Sequence, residues 1–323
     1  MFKMERYHSH SESKFKAFIG IFIIVSIILI MIIPSFFTKR NNLTDLDILA
    51  ENYSLSLSKE QLSSIINSEK ISMNYKFKNS IIAQPNTTDK SKPIIYVLST
   101  LENFKVRSMI RKTWGSNQND FIVIFVIFST DNNQFSIPRI QREQQIHSDL
   151  LFIGFQNTIS TILSVFCHFS TTKIQRKKIL ILIRENVILK PEKLSAFISN
   201  IESDDFIGGE IISKTIPNRE DFKMGKSKFY RLKHKLNPSY LSSNLMILSS
   251  STVIKMLKVL HYVKIVNSSE LYISIIATKL KLPLVNLNKF MKAAFHGTSE
   301  AMFGFPLTLI NGTLNYTQYS INE

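Results

Sequence analysis

Two arginines at helical spacing are the first side chains whose pattern could serve chemistry. Arg107 and Arg111 are four residues apart, with Ile110 and the single tryptophan, Trp114, beside them. Guanidinium groups pair with carboxylate and phosphate oxygens, so one helical face would carry two anion-binding groups. From the pattern alone, a solvated arginine pair beside a core tryptophan is the more ordinary interpretation. The one cysteine, Cys167, excludes a disulfide framework and a multi-cysteine zinc site.

Short apolar runs separated by amphipathic stretches begin at Pro93 and would position such side chains. Continuous apolar strands that alternate with helices are typical of an α/β sheet covered on both faces. In such sheets ligands bind beyond the carboxyl ends of the strands, so a site is expected in the loops after Leu98 and Ile183. The predicted strands are Ile94–Leu98, Phe121–Phe128, Leu150–Phe155, Ile179–Ile183, Phe206–Ile212, Leu245–Leu248 and Leu284–Leu287, and the predicted helices are Lys105–Thr113, Arg139–His147 and Thr158–Thr172.

An uncharged apolar run at residues 18–37 predicts a transmembrane segment. The run is longer than the apolar core of a signal peptide, so we expect an uncleaved signal anchor, with a cleavable signal peptide as the alternative. Residues 1–17 would then be a cytosolic tail, and the remainder of the chain would be lumenal. N-glycosylation acceptor sequences all follow the anchor, as a lumenal body requires. They are at Asn42, Asn52, Asn86, Asn267, Asn311 and Asn315.

Composition limits the classes of partner. Of the chain's 323 residues 44% are hydrophobic, with 24 Phe, and this excludes a protein disordered throughout. The formal net charge is +16. A lumenal body removes nucleic acid as a partner, and the charge then indicates membrane surfaces, acidic glycans or sugar-nucleotide diphosphates. Residues 38–90 are polar, as a lumenal stem would be. Ser58 and Gln61 form a capping-box pattern that predicts one helix within this stem.

The segment Asn103–Gly115 carries the pattern R-x-x-I-R-x-T-W-G after the first predicted strand. On these residues the chain resembles the β-1,3-galactosyl- and N-acetylglucosaminyltransferase family of the Golgi. The resemblance continues in order over residues 93–305, through Lys178–Leu194 and Tyr240–Ser249. It implies a type II membrane protein whose residues 91–323 form a GT-A-like, Rossmann-like domain with a mixed, mostly parallel sheet flanked by helices. It also implies inverting transfer of galactose or N-acetylglucosamine from a UDP-sugar to a glycan, glycoprotein or glycolipid acceptor in β-1,3 linkage.

The same resemblance assigns roles to individual residues. Glu270 takes the place of the carboxylate that accepts the proton of the acceptor hydroxyl. Asn186 and His296 take places beside the family's divalent metal, which would be Mn²⁺. The residues expected to bind the donor are Ser99, Thr100, Arg107, Arg184, Glu185, Asn186 and Lys228.

Three positions depart from the family's pattern. The acidic triplet D-D-D reads Arg-Glu-Asn at residues 184–186, so a positive charge stands where the metal would bind, and ordinary metal binding is not expected. Glu270 is one methylene longer than the family's Asp, and by itself it could equally be a solvated residue at the start of a helix. The glycine trio of the Y-C-S-G-G-G segment reads Ser243–Leu245, which would narrow an acceptor cleft.

Two interpretations of the altered triplet stay open. In the first, Arg184 replaces the cation, because a guanidinium can neutralise a departing diphosphate, and the protein is a hexosyltransferase. In the second, the donor site is inactive and the protein is a lumenal binding or interaction partner. Turnover of UDP-sugars with and without EDTA would separate the two.

Overall fold

A computed structural model gives the architecture of the chain. The predicted transmembrane segment at 18–37 lies outside the described residues. Within the part of the chain that the structure describes, no helix is long and apolar enough to cross a membrane. The described residues are 58–68, 83–86, 92–116, 120–129, 137–155, 158–171, 178–213, 239–263, 266, 268–292, 303–304, 309–310 and 313–314.

The described strands form one large sheet and two small ones. They are β1 (Ile94–Thr100), β2 (Ile122–Ser129), β3 (Leu150–Phe155), β4 (Ile179–Arg184), β5 (Ile188–Leu189), β6 (Ile207–Ile212), β7 (Tyr240–Ser249), β8 (Val285–Asn286), β9 (Met291–Lys292), β10 (Phe303–Gly304), β11 (Leu309–Ile310) and β12 (Thr313–Leu314). The large sheet has seven strands in the order β3-β2-β1-β4-β7-β6-β8. Strands β1 to β4 are parallel, β7 is antiparallel to both β4 and β6, and β8 is parallel to β6.

Helices cover both faces of this sheet. They are α1 (Lys59–Asn67), α2 (Phe104–Lys112), α3 (Ile137–His147), α4 (Thr158–Thr171), α5 (Pro191–Ser199), α6 (Ser250–Val259) and α7 (Ser269–Lys279). Leu180 and Leu182 of β4 pack into the core beneath α4, α6 and α7. Ile181 and Ile183 pack into the other core, beneath α2, α3 and α5. The prediction of a mixed, mostly parallel sheet flanked by helices is therefore confirmed.

Each predicted run corresponds to a strand of the large sheet, with ends that differ by no more than two residues except in β7. β7 begins at Tyr240, five residues before the predicted run, because its polar start still pairs with β6 through Ile212↔Tyr240 and Ile211↔Leu241. Backbone pairing thus extends the strand where the apolar pattern ends. Helix α6 has no counterpart in the prediction.

Two segments of the predicted stem contact the domain. Helix α1 begins with the predicted capping box of Ser58 and Gln61. Its apolar side packs against the core beneath α6, and Lys258 Nζ of α6 donates to the Ile66 carbonyl oxygen at 2.7 Å. Further along the chain, Ala83 forms an antiparallel bridge with Phe152 of β3, the edge strand of the large sheet. Both segments are thus packed onto the folded body.

One edge of the large sheet gathers the polar candidates. The carboxyl ends of β1 and β4 lie at this edge, and the antiparallel strand β7 begins there. Helix α7 is joined to the start of β7 because the Leu241 amide donates to Ser274 Oγ at 3.1 Å. The first turn of α7 therefore lies beside the last residues of β4, which is the edge where ligands bind in open α/β sheets.

Candidate active site

Arg184 is the last residue of β4 and reaches the cleft at this edge. Its Nε and Nη2 atoms both donate to Ser243 Oγ of β7, at 3.0 and 2.6 Å. Nη2 also lies 3.8 Å from Glu270 Oε1, with side-chain exposures of 42% for Arg184 and 21% for Glu270. We call these residues the Arg184–Ser243–Glu270 cluster. Each of its members stands at a position where the sequence departs from the family's pattern.

Glu270 occupies the first turn of α7 and is ionised at neutral pH. Its Oε2 atom accepts a hydrogen bond from Ser269 Oγ at 2.8 Å. Burial acts to raise the pKa of Glu270, but hydrogen bonds from Ser243, Ser269 and the residue's own amide, with the Arg184 charge, outweigh burial and hold this pKa below its ordinary value. The result is a carboxylate that can accept a proton or pair with a cation.

Glu185 follows β4 in a turn, and its side chain contacts the end of β1 and the loop after it rather than β7 and α7, which Arg184 contacts. Its Oε2 accepts from Ser99 Oγ, and its Oε1 accepts from the Asn103 side-chain amide. Burial raises the pKa of Glu185, although the hydrogen bonds from Ser99 and Asn103 oppose the effect. Two residues of the triplet therefore have different partners. Arg184 contacts Glu270, whereas Glu185 connects β4 to the loop after β1 through hydrogen bonds.

The two arginines of α2 form a buried ion-pair network. Arg107 is 0% exposed, and its Nε and Nη2 donate to Glu143 of α3 at 2.9 and 2.7 Å. A third bond from Nη1 reaches the Thr100 carbonyl oxygen at 2.6 Å. Arg111 binds both oxygens of Asp149 at 2.7 and 2.8 Å and also contacts Glu143. The interpretation of this pair as solvated was therefore wrong.

The burial of Arg107 and Ser99 corrects their expected role. Arg107 Nη1 donates to Ser99 Oγ at 2.9 Å, and Ser99 is itself only 1% exposed. Neither side chain reaches the surface, so neither can border a nucleotide directly. They support the loop after β1 instead. Thr100, which follows Ser99, is partly exposed at the edge.

The described residues at this edge do not supply the set of hard oxygen ligands that a divalent cation such as Mn²⁺ prefers. Both carboxylate oxygens of Glu185 accept hydrogen bonds from protein groups, and Arg184 adds a positive charge to the edge. Asn186 Oδ1 is buried without a partner among the described residues, but it is one neutral oxygen where Mg²⁺ and Mn²⁺ prefer several hard ones. No group of three His, Cys, Asp or Glu side chains in the described part of the chain could hold a metal.

Several of the expected residues lie outside the described ranges. Asn86 is described, and it is exposed, with its amide donating to the Ser148 carbonyl oxygen at 2.8 Å. An exposed asparagine is accessible to a glycosylating enzyme. The expected residues outside the described ranges are Lys228, His296, Asn42, Asn52, Asn267, Asn311 and Asn315.

A cavity of about 440 Å³ lies at the other end of the strands, lined among others by Asn86, Lys92, Arg111, His147 and Asp149. These residues precede or face the amino ends of β1, β2 and β3. The cavity is thus remote from the edge that holds the Arg184–Ser243–Glu270 cluster. Arg111, its most basic group, is already paired with Asp149.

Sequence reasoning missed two contacts at the edge. The sequence pattern indicates only the bulk of Ser243, whereas its hydroxyl contacts Arg184 in the structure. Glu210 of β6 has no place in the sequence prediction, and its Oε2 accepts a hydrogen bond from the Asn244 side-chain amide at 2.9 Å. The presence of Ser243 at a position where the family has glycine, in a chain that also has Arg184, could have indicated their contact. Nothing in the sequence indicated a role for Glu210.

Comparison with protein-family models matches residues 105–288, more than half of the chain, to the galactosyltransferase family. The chain belongs to this family. The matched range begins in α2 and ends after β8, and it includes every residue of the Arg184–Ser243–Glu270 cluster. The protein therefore carries a glycosyltransferase domain, and the cluster lies inside that domain.

Three solved glycosyltransferase structures are similar to this chain, each at 10% identity. The bifunctional glycosyltransferase WbbM has a TM-score of 0.38, with 73% of this chain and 44% of that chain covered. The galactosyltransferase LgtC, solved with donor and acceptor sugar analogs, has a TM-score of 0.35, with 66% and 86% covered. Mouse xyloside xylosyltransferase 1 has a TM-score of 0.33, with 66% and 96% covered. The chain spans less than half of WbbM, and these likenesses are partial. Comparison with curated proteins gives no match.

Proposed function

We propose that this galactosyltransferase-family protein is an inverting hexosyltransferase with a GT-A-like domain. It would move galactose or N-acetylglucosamine from a UDP-sugar to a glycan, glycoprotein or glycolipid acceptor, in the β-1,3 linkage that the sequence resemblance implies. The observation that carries the proposal is the Glu270 carboxylate, which stands partly exposed at the carboxyl edge of the sheet beside a guanidinium. A base and a cation at one edge are the two groups that this reaction requires.

In the proposed reaction Glu270 accepts the proton of the acceptor hydroxyl. The hydroxyl oxygen attacks the anomeric carbon of the donor on the side opposite the leaving group, so the bond to the diphosphate breaks and the configuration inverts. UDP leaves with the electron pair of the broken bond. Hydrogen bonds from Ser269 to Oε2 and from Ser243 orient the Glu270 carboxylate, whose Oε1 atom is the oxygen nearer Arg184.

The cellular setting belongs to the same proposal. An apolar run at residues 18–37 would anchor the protein in the Golgi membrane as a single-pass type II protein, with residues 91–323 in the lumen. The accessible Asn86 favours glycosylation of at least one acceptor asparagine in that compartment. Localisation of a tagged chain, with glycosidase sensitivity of its mobility on a gel, tests this part independently of catalysis.

The experiment for the activity is a transfer assay with purified full chain, UDP-galactose and UDP-N-acetylglucosamine, and a panel of glycan acceptors. Release of UDP that depends on acceptor supports the proposal, and the anomeric configuration of the product tests inversion. A chain that binds UDP but transfers no sugar to any acceptor would favour the other interpretation, an inactive relative that acts as a lumenal interaction partner. A folded chain that neither binds UDP nor releases it from a UDP-sugar would overturn the donor assignment.

A further inference from the structure

Three departures from the family's pattern meet in one cluster. Arg184 and Ser243 are 59 residues apart in sequence, yet Nε and Nη2 of the guanidinium both contact the serine hydroxyl. Glu270 comes from a third element, α7, and lies 3.8 Å from the same guanidinium. The three positions therefore border one cleft, and the Arg184 guanidinium contacts both other side chains.

The Arg184 guanidinium is held by Ser243, but not all of its N–H donors have a partner among the described residues. Nε and Nη2 are used by Ser243 and Glu270, whereas Nη1 has no partner within the described residues. An arginine side chain carries five N–H donors and a charge that does not titrate in the physiological range. With 42% of the side chain exposed, the guanidinium can offer its remaining donors to a ligand in the cleft.

The contact with Glu270 must change when a donor binds. A separation of 3.8 Å between Nη2 and Oε1 leaves no room for a sugar between the base and a cation bound to the leaving group. A diphosphate offers the guanidinium stronger, charge-assisted hydrogen bonds than a partly exposed carboxylate does at this distance. Arg184 would exchange Glu270 for the phosphate oxygens, and Glu270 would be released to act on the acceptor.

We propose that Arg184, positioned by Ser243, is the diphosphate-binding cation of this enzyme, so that the donor binds without a divalent metal. The inference rests on the proposed function, because it takes the donor to be a nucleoside diphosphate sugar. Arg184 is assigned to direct contact with the leaving group, and Ser243 is assigned as a positioning residue. Fixed positive charge at the leaving group stabilises the transition state as a metal ion would.

The test measures binding of UDP to the full chain, purified in detergent micelles, by calorimetry in EDTA and again with Mn²⁺. We expect binding in EDTA and no increase in affinity with Mn²⁺. Arg184→Met should weaken UDP binding by about 10- to 100-fold, because charge-assisted hydrogen bonds are lost. Arg184→Lys, which keeps the charge but not the planar fork, should be intermediate. Arg142→Met, on the exposed side of α3, is the matched control and should bind UDP as the unaltered chain does.

Variants of Ser243 test its assignment as a positioning residue. Ser243→Ala should weaken UDP binding and lower the ratio of kcat to KM, whereas Ser243→Thr, which retains the hydroxyl, should restore both. A purely structural role would instead change the unfolding temperature of Ser243→Ala without a selective effect on UDP.

The outcomes separate this inference from the proposed function. Binding of UDP that requires Mn²⁺ would overturn the inference and leave the donor assignment intact. The same holds if a folded Arg184→Met protein binds UDP in EDTA as tightly as the unaltered chain. Absence of UDP binding in both EDTA and Mn²⁺ would overturn the donor assignment itself, and the inference with it. Circular dichroism of each variant shows whether it is folded.

Discussion

Replacement of Glu270 by glutamine should separate catalysis from donor binding. The two side chains have nearly the same shape, so the hydrogen bond from Ser269 is retained, but an amide cannot accept the acceptor proton. General-base catalysis contributes about 100- to 10,000-fold to rates, and we expect kcat to fall by that factor. Glu270→Asp restores the family's residue and should lose less activity than Glu270→Gln. Its carboxylate is displaced by on the order of 1 Å, and a displacement of that size lowers the rate by roughly 100-fold.

The affinity for UDP should not fall in the Glu270→Gln protein, in contrast to kcat. The guanidinium and carboxylate are 3.8 Å apart and 42% and 21% exposed, so solvent screens their attraction. An exposed ion pair of this kind contributes about 1 kcal/mol or less. Removal of the Glu270 charge frees Arg184 from this competition, so UDP should bind as tightly as before or up to about fivefold more tightly.

The pH dependence provides a second measurement of the same residue. In the proposed reaction the ionised form of Glu270 is the base, and its pKa in the folded protein lies below the ordinary value of 4.5. Transfer should therefore persist as the pH falls to that ordinary value and decline only as the pH falls through the lowered pKa. Arg184→Met removes a neighbouring positive charge, so the acid limb of kcat/KM should move to higher pH.

The assays are transfer of radiolabelled sugar for kcat and KM, and calorimetry for UDP binding. The reasoning is refuted if Glu270→Gln transfers sugar at the rate of the unaltered chain. It is also refuted if Glu270→Gln loses UDP binding as severely as Arg184→Met, because Glu270 would then act in donor binding. Glu192→Gln, an exposed residue in the first turn of α5, is the control for loss of a helix-start carboxylate.

Three further predictions concern stability, each measured as the midpoint temperature of thermal unfolding. Arg107→Met removes a fully buried guanidinium and leaves Glu143 with only its other arginine, so the free energy of unfolding should fall by roughly 3–5 kcal/mol. Gly209→Ala would place a methyl carbon 2.2 Å from the Leu245 carbonyl oxygen, and overpacking of this kind costs about 1–3 kcal/mol or more. Tyr96→Phe removes a 2.9 Å hydrogen bond to a buried histidine, which should cost about 1–3 kcal/mol because the ring nitrogen is left unpaired.

Arg142→Met controls for loss of an exposed arginine and should leave the unfolding temperature unchanged. An unaltered unfolding temperature for Arg107→Met would show that its network with Glu143 does not support the fold. Unaltered stability of Gly209→Ala would mean that β6 and β7 can separate locally. For Tyr96→Phe, the same result would mean that water reaches the histidine in place of the phenol.

The strands of the sheet could be predicted because their burial is visible in the sequence. A strand buried on both faces needs apolar side chains at successive positions, as in Ile179–Ile183, and few other structures tolerate such a run. Helix α6 escaped prediction because it follows β7 directly, with Ser249 both ending the strand and capping the helix. The run Ser249–Thr252 does mark this boundary in the sequence as a helix-start signal, and the prediction from apolar runs made no use of it.

The arrangement of the site could be predicted only in part. The rule that ligands bind at the carboxyl ends of parallel strands predicted a site in the loops after Leu98 and Ile183, and the ends of β1 and β4 do lie side by side at one edge. The partners of Arg111 could not be predicted, because Asp149 is 38 residues away and the contact depends on how α2 packs beside β3. The contact between Arg184 and Ser243 depends on the register of an antiparallel strand in an otherwise parallel region, and one residue of slippage would exchange the two faces.

The bridge between Ala83 and Phe152 has a practical consequence for how the protein is shortened. β3 is an edge strand, and an exposed edge offers its backbone groups to any other chain that can add a strand. A form truncated to start at residue 91 would lose this bridge and the hydrogen bond that the Asn86 backbone amide donates to the Ser148 carbonyl oxygen. It would also expose the apolar surface beneath α1. Such a protein should aggregate at concentrations where one that starts before residue 58 stays monodisperse.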